Sequence, residues 1–228
     1  MEKIRVKKNF YPYIIGYAML FIVMASLLLI MPKGELHIWL NGCHTALGDV
    51  FFKYYSMLAE LPIYLFAIIP LFFRKYRWWT AFYATSEIIA VLLIQSVKFI
   101  FNMPRPARFF GVDKIGDIVP LVDGVNLHEA YSFPSGHTSA FFVFFTACAL
   151  LVNYYYSRKP IQRSGACRCL HALALISLLI MAAVGGYSRI YLSQHFLMDV
   201  FVGSAVGITV PCLTFRYVLR HTKWIPNE

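Results

Sequence analysis

The sequence predicts an all-α membrane protein with six transmembrane helices, and three observations lead to this prediction. Of the 228 residues, 59% are hydrophobic, which is a larger share than ordinary soluble domains contain. Several apolar stretches reach about 20 residues, the length that a helix needs to cross a bilayer core of about 30 Å. Basic and aromatic residues collect at the ends of these stretches, as is typical of membrane interfaces.

The amino-terminal half contains the first three predicted spans. An apolar run at about Phe10–Met31 follows a basic segment and is too long for the apolar region of a signal peptide, so we expect it to be retained. Residues 33–60 mix apolar and polar side chains, which suits an amphipathic interfacial helix, although an ordinary connecting loop fits nearly as well. The second span is expected at about Tyr54–Phe73, and the third at about Trp78–Ile100.

The carboxyl-terminal half contains the longest polar segment and the other three predicted spans. Residues 102–133 are rich in proline, glycine and charged residues, and they cannot cross lipid because their backbone polar groups would remain unsatisfied there. Spans follow at about His137–Tyr156, Leu170–Tyr187 and Phe196–Leu219. Since no linker, internal repeat or low-complexity segment divides the chain, we expect one membrane domain over residues 1–228.

The positive charges give the predicted spans an orientation. Six spans put both termini on the same side, and fourteen of the 21 lysines and arginines lie in segments on that side. The positive-inside rule then places both termini in the cytoplasm. The net charge of +10 is thereby explained by orientation and by anionic lipid headgroups, so we expect no nucleic-acid partner.

Three clusters of polar residues interrupt the apolar part of the chain. The first runs over Lys98–Pro106, the second is Pro134–His137, and the third runs over Ser188–Asp199. Each cluster lies where an apolar run begins or ends, and the predicted topology brings all three to the outer face. Ionisable residues at a membrane boundary are a sign of function by default.

Each cluster alone also has a structural explanation. His195 and Asp199 are four residues apart at the start of a helix, where the carboxylate could fix the imidazole tautomer and leave the other nitrogen as a base or nucleophile. For such a pair alone, a simple contact on the helix surface is the better explanation. The second cluster fits either a helix cap or an anion-binding helix N-terminus. The cations of the first cluster could simply anchor a span at the interface.

Taken together, the clusters suit the binding of a phosphoryl group. Transfer of a phosphoryl group depends on charge neutralisation and positioning more than on covalent machinery. The clusters offer three cations, backbone amides at a helix start, two histidines and a carboxylate. These candidate site residues are Lys98, Arg105, Ser135, Gly136, His137, Arg189, His195 and Asp199.

The clusters resemble the three-part signature of the type 2 phosphatidic acid phosphatase (PAP2) superfamily. The pattern K-x6-R-P begins at Lys98, P-S-G-H begins at Pro134, and S-R-x5-H-x3-D begins at Ser188. All three parts match in order, without a gap or a substitution, over about the middle half of the chain. The resemblance implies a membrane lipid phosphatase whose active site faces outward.

The resemblance also implies a role for each candidate residue. His195 would attack phosphorus and form a phosphohistidine, Asp199 would orient His195, and His137 would protonate the leaving group. No metal or other cofactor is implied, and the outer face offers no cluster of carboxylates suited to magnesium. The phosphate oxygens would be held by Lys98, Arg105, Arg189 and the amides of Ser135 and Gly136.

The substrate implied by the resemblance is a phosphorylated lipid. Undecaprenyl diphosphate, phosphatidylglycerophosphate, phosphatidic acid and lipid A phosphates all occur as substrates in the family. Because a compact six-span chain most resembles bacterial members, we favour a cell-envelope lipid such as undecaprenyl diphosphate or lipid A. The expected location is the inner (cytoplasmic) membrane, with the active site on the periplasmic side.

Three other functions are compatible with parts of the sequence. A lipid phosphotransferase could use the same phosphohistidine and pass the phosphate to another lipid. Vanadate-dependent haloperoxidases share the signature, but they are soluble, and six spans argue against that function. A non-catalytic lipid-binding or transport protein would have no need of a complete set of nucleophile, acid and cations.

Several polar residues lie outside the signature. Glu87 falls within the third span, where a hydrogen-bonded structural role is favoured over a role with protons or headgroups. The segments 33–60 and 108–133 are expected to govern which lipid enters. A lone C-x-C pair and scattered cysteines predict neither a metal site nor a disulfide framework. Structural or rim roles are expected for His37, His44 and His128, and positions lining the mouth of the site for Tyr187 and Tyr191.

Overall fold

In the computed structural model, residues 9–158 and 164–221 are described, and every regular element within these ranges is helical. Two short 3-10 helices, Ile69–Phe72 and Arg74–Tyr76, lie between the fourth and fifth α-helices. The all-α prediction is confirmed. The α-helices are α1 (Tyr11–Ile30), α2 (Lys33–Asn41), α3 (Ala46–Met57), α4 (Leu61–Ile68), α5 (Arg77–Phe101), α6 (Pro106–Phe110), α7 (Ile115–Ile118), α8 (Gly136–Arg158), α9 (Gly165–Tyr191) and α10 (Leu197–His221).

The long helices confirm a multi-pass membrane protein. Five stretches, which correspond to α1, α5, α8, α9 and α10, are long and apolar enough to span a bilayer. Helix α3 and the segment Pro62–Phe72 meet at a bend of 48°. If the two are counted together as one bent span, they form a sixth span. The described part of the chain therefore has five or six candidate spans.

The structure differs from the prediction around the second span. Residues 33–60, predicted as one interfacial segment, contain both the nine-residue helix α2 and helix α3, and α3 begins the second apolar region well before Tyr54. The helix breaks after Met57 and restarts with Pro62 in its first turn, a position that proline favours because no amide hydrogen is needed there. The polar residues Asp49 and Lys53 interrupt the hydrophobic pattern of α3, so the sequence does not show that α3 leads into the apolar run that follows.

Helix α8 is the centre of the bundle and positions the site. In its most apolar window 72% of the residues are buried, against 11% for α1, because α8 packs between α5, α9 and α10. Helix α1 therefore turns most of its surface towards lipid. The second polar cluster ends in the first two residues of α8, Gly136 and His137, so the best-packed helix positions that cluster.

Two glycines allow α10 to approach α8 closely. A Cβ added at Gly203 would lie 2.6 Å from the carbonyl oxygen of Ser135, and one at Gly207 would lie 2.4 Å from Cβ of Phe142. Glycines four residues apart let helix backbones approach closely in membranes. This approach also brings the Ser135 amide to the Asp199 carbonyl oxygen, to which it donates at 3.0 Å. The second and third clusters are thus joined through backbone contacts.

Candidate active site

The three polar clusters meet at one end of the bundle. The end of α5, the start of α8, the end of α9 and the start of α10 all lie there. The Arg105 guanidinium links the first cluster to the third, since Nη1 donates to the carbonyl oxygen of Gln194 at 3.2 Å and to its side-chain oxygen at 3.1 Å. The sequence prediction that the clusters share one face therefore agrees with this arrangement.

His195 and Asp199 form a buried pair at the centre of this site. His195 Nδ1 lies 3.3 Å from Asp199 Oδ2, and the two residues are 1% and 2% exposed. The same carboxylate oxygen accepts from the Phe196 amide at 3.0 Å and from the hydroxyl of Ser132. Three donors thus stabilise the ionised carboxylate, and an ionised carboxylate requires the proton of the imidazole to be on Nδ1.

The environment keeps the His195 ring neutral. Burial lowers the pKa of His195 to about 3, with the hydrogen bond to Asp199 acting in the opposite direction and the charges of Arg105 and Arg189 adding to the decrease. With the proton on Nδ1, the lone pair is on Nε2, which has no hydrogen-bond partner among the residues described. A neutral ring with a free Nε2 is the form in which histidine is nucleophilic.

Arg189 lies in the last turn of α9, rather than in the loop where the sequence had placed the third cluster. Its side chain is 8% exposed, and Nη1 donates to the hydroxyl of Ser56 on α3. Its Nε–H is buried and has no partner in the described ranges. A buried guanidinium with an unused donor is suited to an oxyanion, which would accept that hydrogen bond.

The other two cations extend the positive field around the site. Lys98 lies close enough to Arg105, Asp199 and Arg189 to interact with them electrostatically. The effect reaches His128 at the rim, where burial first, and then the charges of Arg105, Arg189 and Lys98, lower the pKa of the imidazole. All three predicted cations therefore act in the same region.

The backbone amides around the start of α8 make different contacts from those that were predicted. The Ser135 amide, which was expected to hold phosphate, donates to the Asp199 carbonyl oxygen instead. The Ser135 hydroxyl accepts from the Thr138 amide at 3.3 Å and so caps the helix. Within the described ranges the amides of Gly136 and His137 have no acceptor, and they lie at the positive end of the helix dipole.

His137 contacts an acidic residue that the sequence analysis did not single out. Its Nε2 lies 3.4 Å from Oε1 of Glu60, at the break between α3 and α4. Both side chains are partly exposed, at 31% and 58%, so the pair has access to solvent. The two side chains lie close enough to exchange a proton, which a general acid must be able to do.

Four further residues that sequence reasoning missed support the site. Ser132 donates to Asp199 and Ser56 accepts from Arg189, while Gln194 holds Arg105 and is itself held by the Asn126 carbonyl oxygen at 2.7 Å. Gln194 precedes His195 and could have been noticed inside the third cluster. The other three carry no signal, because nothing in the sequence indicates which distant segments approach the cations.

Helix α2 braces the loop that carries His195. Asn41 donates to the carbonyl oxygens of Ile190 and Tyr191 at 2.8 and 3.0 Å, and His37 Nε2 lies 3.3 Å from the Ser193 hydroxyl. Burial lowers the pKa of His37 to about 4, the charge of Asp199 opposing this and that of Lys33 reinforcing it. The structural role expected for His37 agrees with these contacts.

Aromatic residues at the end of α9 connect it to the preceding segments. Tyr187 donates to the Leu40 carbonyl oxygen at 2.9 Å, while Tyr191 donates to Asp49 at 2.6 Å and stacks on His44 with ring centroids 3.9 Å apart. These side chains therefore hold α2 and α3 against α9. These contacts are structural, and the expectation that both tyrosines line the mouth of the site stays a prediction.

No group of three or more His, Cys, Asp or Glu side chains in the described residues could hold a metal ion. Cys167 and Cys169 are exposed and free. The metal-independent reaction implied by the resemblance remains a prediction.

The comparison with known proteins concerns both sequence and fold. The sequence model of the PAP2 superfamily matches residues 78–223, the part of the chain that contains all three clusters. A lipid A 4'-phosphatase from Porphyromonas gingivalis is 27% identical over 197 residues, which make up 84% of this chain and 75% of that protein. A dihydrosphingosine 1-phosphate phosphatase from Schizosaccharomyces pombe is 26% identical over 77% of this chain, but the match spans only 40% of the yeast protein.

A solved structure shares the fold. The crystal structure of Aquifex aeolicus LpxE superposes with a TM-score of 0.56 and is 27% identical. The superposition covers 80% of this chain and 94% of that chain.

Proposed function

The chain belongs to the PAP2 superfamily, and from this premise we propose that it is an integral membrane phosphatase of phosphorylated lipids. The observation that carries the proposal is the buried pair of His195 and Asp199, whose geometry leaves Nε2 of a neutral imidazole available among three cations. Similarity to a lipid A 4'-phosphatase and a dihydrosphingosine 1-phosphate phosphatase supports a lipid as the phosphorylated substrate.

The first step would transfer the phosphoryl group to the enzyme. Nε2 of His195 attacks phosphorus, the bond between phosphorus and the ester oxygen breaks, and the leaving oxygen takes a proton from His137. Asp199 stabilises the positive charge that develops on the His195 ring, as the carboxylate does in other histidine–carboxylate pairs. The products of this step are the lipid alcohol and a phosphohistidine.

The second step would regenerate the enzyme. His137, now neutral, takes a proton from a water molecule as the water attacks phosphorus, and the bond between phosphorus and Nε2 breaks. Inorganic phosphate leaves, and both histidines return to their initial forms. Glu60, which contacts His137 and is partly exposed, provides a route for protons between this ring and solvent.

The cations would stabilise the transferred group in both steps. Arg189 offers a buried N–H that has no partner among the described residues, Arg105 is held in place by Gln194, and Lys98 adds a third charge. Fixed charges act strongly where water is excluded, and they need no reorganisation as charge moves in the transition state. The amides of Gly136 and His137 complete the set of donors.

The first prediction concerns the reaction. Purified enzyme in detergent should release inorganic phosphate from a phosphorylated lipid, and the rate should be unchanged in EDTA because the cations neutralise the charge. Orthovanadate, which resembles five-coordinate phosphorus, should inhibit. The measurement is phosphate release from a lipid panel, with and without an acceptor lipid.

Two results would contradict this account. If chelation abolishes activity and a single divalent ion restores it, the protein's cations alone do not neutralise the charge of the phosphate group. Transfer of phosphate to the acceptor in place of release would identify a phosphotransferase.

We also propose that the site faces the extracytoplasmic side of the membrane. Basic residues at the opposite helix ends include Arg77 at the start of α5, Arg158 at the end of α8 and Arg168 at the start of α9. Positive charge at the ends of spans favours the cytoplasm. The terminal basic residues that support the same orientation lie outside the described residues.

The second prediction tests this orientation with engineered cysteines. The exposed Cys43, Cys167 and Cys169 would first be replaced by serine. Cysteine at Gly116, where a Cβ meets only Leu121 at 3.6 Å, should react with an impermeant reagent in intact cells. Cysteine at Gly165, where a Cβ meets no atom of the described residues within 4 Å, should react only after permeabilisation. The reverse pattern would place the site in the cytoplasm.

A further inference from the structure

A cavity of about 240 Å³ adjoins the candidate active site at His137. Its walls come from the break between α3 and α4, from the inner face of α5 and from the first turns of α8. Because His137 and Gly136 belong to both the cavity and the phosphate site, a group in the cavity would lie beside the proposed general acid. Its polar lining residues are Glu60, Tyr64, Glu87, Gln95, His137 and Ser139.

Two buried oxygen atoms of this lining lack a hydrogen-bond partner within the described chain. Glu87 is 7% exposed, and its Oε1 accepts from the Tyr64 hydroxyl at 3.2 Å while Oε2 is unpartnered. Ser139 is 3% exposed, and its Oγ is unpartnered as well. Buried polar atoms are nearly always hydrogen-bonded in native proteins, so these atoms indicate a group that binds in the cavity.

The lining determines which chemical groups fit. Glu60, Glu87 and Gln95 offer hydrogen-bond acceptors in the cavity, and the Ser139 hydroxyl can donate as well as accept. A ligand with a hydroxyl or an amide group, which can donate to the carboxyl oxygens, therefore fits this lining. A second phosphate group would place negative charge beside the solvent-accessible carboxylate of Glu60, which disfavours its binding.

The rest of the lining can accommodate hydrocarbon. The apolar residues Ala59, Val91, Ile94 and Ala140 complete the cavity wall. Val91 is also 42% exposed on the surface of α5, so the wall reaches a face that a membrane helix turns towards lipid. A lipid could therefore keep its chains in the bilayer while its polar alcohol portion enters beside His137.

We propose that this cavity holds the alcohol portion of the substrate, and that the enzyme acts on phosphate monoesters of lipids whose alcohol carries hydroxyl or nitrogen donors near the phosphate. The inference rests on the proposed phosphatase function, because His137 protonates the oxygen that joins phosphorus to this alcohol. A plain alkyl alcohol would leave Oε2 of Glu87 and Oγ of Ser139 without a hydrogen bond. A prenyl diphosphate would bring a second negatively charged phosphate next to the carboxylate of Glu60.

The third prediction compares three substrates in the same detergent. Lysophosphatidic acid has a free hydroxyl near its phosphate, oleyl phosphate has the same type of chain without a donor, and farnesyl diphosphate has a second phosphate. We expect kcat/KM for lysophosphatidic acid to exceed that for oleyl phosphate by about tenfold or more, since a site built for a hydroxyl rejects analogues that lack it. Farnesyl diphosphate should be the poorest substrate.

Substitutions then connect the preference to the cavity. Glu87→Leu should lower kcat/KM for lysophosphatidic acid by about tenfold and leave oleyl phosphate within about threefold, so that the preference is lost. Thr85→Leu is the matched control, because it also replaces a polar residue of α5 with leucine but lies on the exposed face, outside the cavity. The control should keep the wild-type preference.

The outcomes separate the two proposals. If wild-type enzyme hydrolyses none of the three substrates or any other lipid phosphate, the phosphatase function itself is wrong. Equal use of lysophosphatidic acid and oleyl phosphate, efficient hydrolysis of farnesyl diphosphate, or an unchanged preference in Glu87→Leu would overturn the cavity assignment alone. If Glu87→Leu loses both activities, the smaller change Ser139→Ala decides: the assignment stands only if Ser139→Ala reduces the preference.

Discussion

Replacement of His195 by alanine is expected to reduce lipid phosphate hydrolysis to background. In the proposed reaction Nε2 of this ring forms the bond to phosphorus, so no other step can proceed without it. The ring is buried and Asp199 holds its Nδ1 side, so Nε2 is the ring atom left to attack phosphorus. Steady-state phosphate release by the purified variant, compared with wild type at equal protein, is the measurement.

His137→Ala is the matched control for this substitution. It removes a histidine from the same site, but only the general acid, which is typically worth about 10²–10⁴-fold. A substrate with a good leaving group needs little protonation, so it should lose less activity than a natural lipid does. If the two variants keep equal residual activity, the assignment of His195 as the nucleophile and His137 as the general acid is wrong.

The second large effect is expected for Asp199→Asn, which should lower kcat by about 10³–10⁴-fold. The amide keeps the size of the side chain, but it carries no charge to stabilise the imidazolium and only one of its ends can accept. The Phe196 N–H, the Ser132 hydroxyl and His195 Nδ1 all contact one carboxylate oxygen, and the uncharged amide oxygen of asparagine is a weaker acceptor for them. The measurement is kcat together with the thermal unfolding temperature.

Ser132→Ala serves as the control, because it removes one donor to Asp199 and leaves the charge in place. Its loss of activity should be far smaller than that of Asp199→Asn. An Asp199→Asn variant that stays folded with kcat within tenfold of wild type would show that the carboxylate does not orient or stabilise the ring.

The spans were predictable wherever hydrophobicity was continuous. Helices α1, α5, α8 and α10 begin and end close to the predicted positions, because apolar length is what a bilayer requires. Helix α9 extends to Tyr191, beyond the predicted end of its span. The prediction ended too early because Ser188 and Arg189 interrupt the apolar run within the last turn. The prediction misplaced the α3–α4 region because polar side chains in α3 and the break before Pro62 divide one bent span into two different sequence patterns.

The candidate site was predictable in its residues but not in its supporting contacts. The signature places His195, Asp199 and the cations by local spacing, which the sequence displays directly. Contacts such as Ser56 with Arg189 and Glu60 with His137 join segments that are far apart in the chain. These contacts depend on how α3 and the start of α4 pack against α9 and α8, which no local sequence pattern encodes. The engagement of the Ser135 amide by Asp199 depends likewise on the close approach at Gly203.

Trapping of the phosphoenzyme tests the central claim most directly. Enzyme is mixed with lipid labelled in its phosphate and quenched under alkaline conditions, because phosphohistidine is labile in acid. Wild type should retain protein-bound label, and the slower His137→Ala variant should retain it with a good-leaving-group substrate. His195→Ala should retain none. Label on the His195→Ala variant would contradict the account, since the nucleophile would then be another residue.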